Sequence, residues 1–504
     1  MRWLLDLPLL VILVGIGALA MFVPAAHAFA LGDERVGRAF LYLGILFLLG
    51  TALLAIATST IRPRRLARSQ LISLVGAYLV LPMMLAVPFQ EALRATSFLN
   101  AWFEMVSCFT TTGATVYEDP SRLGPTLHLW RALVGWLGGF FTWVVAVALL
   151  APMNLGGFEV SSAEGAGKGV AAGFGFRRHE SGARLVAAAL ALLPVYAGLT
   201  ALLWLLLILS GSGATSSLVH AMATLSTSGI SATGGLASAG AGVTGEVMVA
   251  AFLVFALSHA TFSDLGQRGG AGRLWADHEL RLGLLIVAIV PAALFLRHWF
   301  GAAGAGEEAN LGLALRALWG SVFTVLSFLT TTGFVSTDWA DAQGWSGLHT
   351  PGVLLVGLSV IGGGVATTAG GVKLLRVWAL YTQAAREMER LVHPSSVGGA
   401  GQAARRLRRQ GAEIAWIFFM LFALSITLVS AALALTGEDF ESAMVLAVAA
   451  LSTTGPLAQI GAEAAIPLAP LDAAAKGILM AAMVLGRLET LALIALLNPE
   501  FWRG

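Results

Sequence analysis

The sequence predicts an all-α integral membrane fold: four pseudo-repeats around one centre, each a helix, a re-entrant half-helix, a Thr/Ser-Gly segment and a second helix, with two N-terminal transmembrane helices ahead of them. Three observations predict it. Apolar residues are 57% of the 504 and charged residues 12%, with a mean hydropathy of +0.82; soluble domains average about 45–50% apolar and about 25% charged. Stretches of the roughly 20 apolar residues that span ~30 Å of hydrocarbon as a helix recur along the chain. Four short segments also answer one another: Phe109-Thr110-Thr111-Thr112-Gly113, Leu225-Ser226-Thr227-Ser228-Gly229, Leu329-Thr330-Thr331-Thr332-Gly333 and Leu451-Ser452-Thr453-Thr454-Gly455. Their glycines are 116, 104 and 122 residues apart, which suits a module of two membrane spans better than a solenoid repeat. No stretch is left for a soluble catalytic domain, so an enzyme is not expected.

Two spans, about 7–25 and 36–58, come first. Paired spans follow at 71–90 and 127–151, 184–210 and 245–263, 280–300 and 350–372, and 412–436 and 471–497. Between the members of each pair lies an apolar stretch too short to cross: Leu99 to Phe109, Ser216 to Leu225, Leu313 to Leu329 and Phe440 to Leu451. The chain therefore divides into an N-terminal helix pair (1–65) and four repeats (66–160, 161–268, 269–395 and 396–504). Met1 to Ala28 has an apolar run and an Ala26-His27-Ala28 site like that of a signal peptide, but Asp6 and the length of the run favour a retained helix.

The formal charge is only +2, so the placement of basic residues is the useful signal. They gather in 61–70, 160–184, 266–281 and 373–411, the last holding Lys373, Arg376, Arg386, Arg390, Arg405, Arg406, Arg408 and Arg409. By the positive-inside rule these loops are cytoplasmic, and ten spans put both termini there too. Each run lies beside a membrane segment without an aromatic platform, which argues against nucleic acid. Cys108 is the single cysteine, so no intramolecular disulfide forms, and it reads as a small buried hydrophobe.

Non-helical backbone at membrane depth is tolerated only where it is buried or lines a wet cavity, so a Gly after a half-helix points to a pore lining. Gly allows the positive φ that turns successive carbonyls one way, and hydroxyl side chains add oxygens. A dehydrated K⁺ needs such a cage in place of its water shell. The C-terminal ends of the half-helices add partial negative charge at the same place. A lone Thr-Thr-Gly is an ordinary C-cap or helix contact; four in register between paired spans are a filter around a central pore.

These segments resemble the selectivity filters of the Trk/Ktr/HKT superfamily of K⁺ transporters, and within it the bacterial TrkH type. The likeness covers essentially the whole chain and includes Phe103 to Thr115, Gly135-Trp136-Leu137-Gly138-Gly139 and Gly486-Arg487-Leu488-Glu489. Cys108 departs from the small residue, usually Gly, of that pattern. The resemblance implies K⁺ coordination by Thr111, Thr112, Gly113, Thr227, Ser228, Gly229, Thr331, Thr332, Gly333, Thr453, Thr454 and Gly455. Some plant relatives that pass Na⁺ have Ser at the first filter Gly, so Gly113 favours K⁺. The resemblance further implies a homodimer in the bacterial inner membrane, no covalently bound cofactor, and a separate cytosolic nucleotide-binding ring (RCK-type, TrkA-like). The resemblance makes the basic stretch from Lys373 to Arg409 the expected docking surface for such a ring.

The second span of the third repeat is interrupted by Gly362-Gly363-Gly364-Val365-Ala366-Thr367-Thr368-Ala369-Gly370-Gly371. Each Gly weakens a helix by about 1 kcal/mol relative to Ala, so this stretch is expected to be unwound. The spacing of a phosphate-binding loop is not met, because Leu374 follows Lys373; close helix packing through small residues is the bland alternative. Arg487, mid-span, is a functional candidate by its cost in lipid, or else a structural partner of Glu489. The resemblance places the Gly-rich loop beneath the filter as a gate (Gly362, Gly363, Gly364, Gly370, Gly371) and Arg487 in the cavity against it. Glu118, Asp119, Asp338, Glu438, Asp439 and Glu441 fall on the outer side, as helix caps or as a cation-concentrating mouth. His259 and Asp264 offer either a helix terminus or a proton relay. Two rival functions remain: a cation-coupled secondary transporter (K⁺/H⁺ or K⁺/Na⁺ symport), and an intramembrane hydrolase using Ser228 with His220 or His259.

Overall fold

The computed structural model describes residues 8–58, 66–150, 181–258, 275, 277–302, 311–346, 351–393 and 402–488. Among them there are helices and connecting segments and no strand. Helices α1 (Leu9–Ala20) and α2 (Phe22–Ala30) run on through Met21 and pack against α3 (Glu34–Thr58). His27 Nδ1 lies 2.9 Å from Thr126 Oγ1, tying this hairpin to the first repeat. Leu46, Leu49 and Leu53 of α3 are exposed, as suits a helix at the lipid-facing rim.

Repeat 1 consists of α4 (Leu66–Leu93), half-helix α5 (Phe98–Phe109) and α6 (Pro125–Val145); repeat 2 of α7 (Ser181–Leu209), half-helix α8 (Ala214–Leu225) and α9 (Gly242–Leu253). Repeat 3 has α10 (His278–Ala302), α11 (Leu311–Leu329), a short α12 (Trp339–Ser346), α13 (Pro351–Ile361) and α14 (Leu374–Val392). Repeat 4 has α15 (Gln402–Ala434), half-helix α16 (Phe440–Leu451), a single turn α17 (Leu457–Ile460) and α18 (Ala473–Leu488). The first spans of repeats 1 to 3 carry internal prolines (Pro82 and Pro88, Pro194, Pro291), which membrane helices tolerate when neighbours take up the freed carbonyls.

Eight helices are long and apolar enough to cross a membrane among the described residues. Two departures from the expected spans are informative. Helix α11 has 19 residues where the other three half-helices have 12, so length alone would count it as a span. Its C-terminus nevertheless ends at a buried Thr/Ser-Gly turn in register with those of the other three. The second span of repeat 3 is broken as expected, but Lys373 and Arg376 are not exposed charges: Lys373 ends the non-helical segment just before α14 and Arg376 lies within that helix, 6% and 0% exposed. Arg376 stacks 3.6 Å above the Phe418 ring of α15, a cation–π contact that lets a guanidinium stay buried. Arg386 and Arg390 likewise fall within α14 and Arg405, Arg406, Arg408 and Arg409 within α15, so much of the expected basic loop is helical, whereas residues 61–65, 160–180 and 266–274, with His259, Asp264 and Glu489, lie outside the described residues.

Repeats join in a ring. Each second span packs on the half-helix of the next repeat: α6 on α8, α9 on α11, α13 on α16, and α18 back on α5. Closure of this cycle puts the four half-helix C-termini at one buried centre.

Candidate ion filter and gate

The backbone after each half-helix repeats one local structure. Thr111, Thr227, Thr331 and Thr453 all take positive φ, 56°, 51°, 57° and 56°, a conformation that costs a β-branched residue energy. The expectation had reserved positive φ for the glycines. Gly113, Gly229 and Gly333 do adopt it, at 74°, 64° and 81°, while Gly455 does not. Pro456 accounts for the exception, since a proline ring steers the residue before it toward extended backbone.

Hydrogen bonds explain how the turn is held. The residue before each strained threonine bonds back to the half-helix (Thr110 N to Val106 O, 2.9 Å; Thr330 N to Leu326 O, 3.0 Å), and so does the residue after it (Thr112 N to Ser107 O, 2.8 Å; Ser228 N to Ala223 O, 2.9 Å; Thr332 N to Ser327 O, 2.9 Å; Thr454 N to Ala449 O, 2.8 Å). These N–H groups are thus spent on the half-helix, while the Thr112 carbonyl accepts from Gly455 N of repeat 4 at 2.6 Å. Residues 110–112, 226–228, 330–332 and 452–454 are at most 1% exposed.

The four turns meet edge to edge. A Cβ on Gly113 would run into the Ser228 carbonyl and one on Gly229 into the Thr332 carbonyl; one on Gly333 would lie 2.7 Å from Pro456 Cγ, and one on Gly455 would run into Ala114. Each filter glycine thus abuts the next repeat, in the order 1, 2, 3, 4 and back to 1. Close approach requires glycine at all four positions, and positive φ adds to that requirement at Gly113, Gly229 and Gly333.

The Gly-rich segment is non-helical from Gly362 to Lys373, buried, and directly beneath this ring. Gly362 and Gly371, at φ 74° and 77°, fold its two ends against each other, and the N–H groups of Val372 and Lys373 bond back to Val360 and Ile361 at 2.9 Å. Gly370 N donates to Thr331 Oγ1 at 2.8 Å, and a Cβ on Gly370 would collide with Ser452 and Thr453. Thr368 Oγ1 donates to the Leu225 carbonyl at 3.1 Å. From the far side Gly364 N bonds Ala256 O at 2.9 Å and Val365 N bonds Glu279 at 2.9 Å, while Lys373 Nζ donates to the Ala369 carbonyl.

Arg487 reaches this segment from α18. Its Nη1 donates to the Thr368 carbonyl at 2.7 Å and its Nε to Thr142 Oγ1 at 3.0 Å, and Thr142 Oγ1 lies 2.8 Å from the Tyr78 hydroxyl. The guanidinium is thereby held between repeats 1, 3 and 4.

Outside the membrane the acids behave as caps more than as a mouth. Asp119 accepts from Ser121 N at 2.9 Å and Asp439 from Ser442 N at 3.1 Å, and these bonds hold both carboxyls below their ordinary value. Asp338 is instead 2% exposed and 3.2 Å from Arg316. Ser228 and His220 are not brought together: Ser228 Oγ accepts from Ser226, while His220 Nε2 lies 2.9 Å from Ser231 Oγ.

Sequence reasoning missed a set of buried polar residues that brace the filter. Glu104, nine residues before Gly113, bonds Val116 N at 3.1 Å and Arg131 Nε at 2.6 Å. His220 and Thr324 hold the equivalent positions in repeats 2 and 3, with Thr324 Oγ1 accepting from Ser336 N at 3.3 Å. Repeat 4 has Leu446 there. Glu246 in α9 makes four bonds to repeat 3. The rule that singled out Arg487, that an ionisable residue inside the membrane is functional by default, applies equally to Glu104, Arg131 and Glu246 and was not extended to them.

Paired spans and half-helices closed around a buried ring of backbone turns define a multi-pass membrane protein of the ion-translocating class. The family model described as TrkH, cation transport protein, matches residues 39–502. The chain is 31% identical over 407 residues to the Trk system potassium uptake protein TrkH of Salmonella typhimurium, covering 80% of this chain and 79% of that one. It is 30% identical over 418 residues to the protein of the same name from Vibrio parahaemolyticus, covering 81% and 80%. The crystal structure of the potassium transporter TrkH from Vibrio parahaemolyticus matches all of both chains with a TM-score of 0.81 at 25% identity. The chain belongs to the TrkH family of cation transport proteins.

Proposed function

We propose that the protein carries K⁺ inward across the bacterial inner membrane, both termini cytoplasmic, through a filter made by Thr111, Thr112 and Gly113 and their counterparts in the other three repeats. The reading rests on one observation, the closed ring in which four threonines share one strained conformation and each turn abuts the next. Strain repeated four times at a buried centre fits a site where backbone oxygens replace the hydration shell of a cation. The repeats follow the divisions 66–160, 161–268, 269–395 and 396–504.

Beneath the filter, Gly362 to Gly371 forms the gate and Arg487 latches it. A guanidinium in a low-dielectric cavity also opposes a second cation, so it raises the barrier to K⁺ while the loop stays in place. The protein works as a homodimer, and a cytosolic nucleotide-binding ring docks on the basic segment near α14. Rescue of a bacterium deficient in K⁺ uptake tests the whole reading, with Gly113→Ser as the comparison. Rescue at low K⁺ by the wild type, and growth inhibition by Na⁺ in the variant, are expected; no rescue by the wild type rejects it.

A further inference from the structure

Glu246 sits near the start of α9 in repeat 2, is 1% exposed, and spends its carboxylate entirely on repeat 3. Oε2 accepts from Trp319 Nε1 of α11 at 2.9 Å and from Ser336 Oγ at 2.6 Å. Oε1 accepts from Thr337 N and Thr337 Oγ1, both at 2.6 Å. Ser336 and Thr337 come three and four residues after Gly333, where the chain leaves the ring. One carboxylate therefore joins the half-helix that enters the third filter segment to the extended segment that leaves it. Ser336 is further fixed by the Thr324 bond at 3.3 Å, and its own Oγ accepts from Asp338 N at 3.2 Å.

We propose that Glu246 is the positioning residue that sets the spacing of the third filter segment and thereby its discrimination between K⁺ and Na⁺. The inference rests on the filter reading above and adds that the brace is supplied across a repeat boundary. A cage for a dehydrated ion discriminates only if its oxygens hold their distances, and charge-assisted bonds are the stiffest available here. Repeat 1 has a parallel brace in Glu104, also bonded to the returning segment three residues after its glycine. Among the described residues repeats 2 and 4 show no carboxylate bonded three or four residues after their glycines, and repeat 2 has in its place the His220 contact to Ser231.

A glutamine cannot substitute. Each oxygen of Glu246 faces an obligatory N–H donor, Thr337 N on one side and Trp319 Nε1 on the other, so either orientation of the amide sets its NH₂ against an N–H. The full-length protein, reconstituted in liposomes, is loaded with K⁺ or Na⁺ in parallel. Glu246→Gln is expected to lower the K⁺/Na⁺ uptake ratio by about tenfold while K⁺ uptake stays within about threefold of wild type. Thr337→Val, which removes one donor, is expected to lower the ratio by about threefold. The ratio is the deciding readout, because a loss of folded protein reduces both ions alike. An unchanged ratio in monodisperse Glu246→Gln, or a proportionate loss of both ions, overturns the proposal. Should that variant not fold, an unchanged ratio in Thr337→Val overturns it instead. A wild-type protein that takes up Na⁺ as readily as K⁺ overturns the filter reading and the brace together, whereas an unchanged ratio in the variants overturns the brace alone.

Discussion

The ring and the loop beneath it are both buried, both glycine-rich, and both hold non-glycine residues at positive φ, yet they are secured in opposite ways. In the ring the strain falls on four equivalent threonines, and each turn is bonded mainly to its own half-helix. In the loop it falls on Ala366 and Lys373, at 53° and 85°, and beyond the bonds that close its own base the contacts run to other elements: Thr331, Leu225, Ala256, Glu279 and Arg487. A structure held by its own scaffold keeps its shape when neighbours shift. One held by partners on several helices has a second arrangement within reach whenever those helices move, which is what a gate needs.

The largest expected effect breaks the ring. Gly229→Ala would place a Cβ against the Thr332 carbonyl at a φ of 64°, and two costs of this kind together predict a fall in Rb⁺ or K⁺ uptake of about 100-fold or more. Uptake within a few-fold of wild type would mean that the four turns do not form the path. Disturbing the loop should have the opposite sign. Arg487→Gln loses a charge-assisted bond to the Thr368 carbonyl, and K⁺ flux in liposomes is expected to rise by about tenfold. Thr368→Val removes the weaker bond to Leu225, and a rise of about threefold is expected in the same assay. Flux that falls in both variants would place the loop in the path as a support and not as a gate.

The same contrast decides what was legible in the sequence. The ring shows through because it is written four times: Thr-Thr-Gly is uninformative alone, and its repetition between apolar segments located the half-helices to within about two residues at their starts, where helix ends are least distinct. The loop was visible as a cluster of glycines, but not its partners. Gly370 bonded to Thr331, or Thr142 between Tyr78 and Arg487, joins residues far apart in the chain, and nothing local in the sequence announces such pairs. Three details were misjudged for identifiable reasons. Gly455 was assigned the conformation of its counterparts although Pro456 forbids averaging over repeats; Arg376 was counted as an exposed loop charge because burial by a phenylalanine ring on another helix leaves no local trace, and Lys373 because its bond to the Ala369 carbonyl leaves none either. The length of α11 follows from an apolar run that extends outward past the half-helix proper.

The smallest expected effect concerns the support of the ring alone. Half-helix α16 has no buried polar residue at the position that braces the other three, and its N-terminus relies on Asp439, whose carboxylate accepts from Ser442 N at 3.1 Å. That bond keeps the folded-state pKa below the ordinary carboxyl range of ~4, so the capping contribution is complete above that range and disappears as the pH falls through the lowered value. Asp439→Ala is expected to reduce amide-exchange protection in residues 440–443 by about fivefold at neutral pH, and the difference is expected to shrink as the pH falls through the lowered pKa and the wild-type acid takes up its proton. K⁺/Na⁺ selectivity should change in the same direction but by less than in Glu246→Gln, because the cap lies a full half-helix away from the filter. A difference in protection that does not shrink as the wild-type acid is titrated to its protonated form would show that the side chain acts by packing, and the fourth quarter of the ring would then owe its stability to Pro456 and its contact with Gly333.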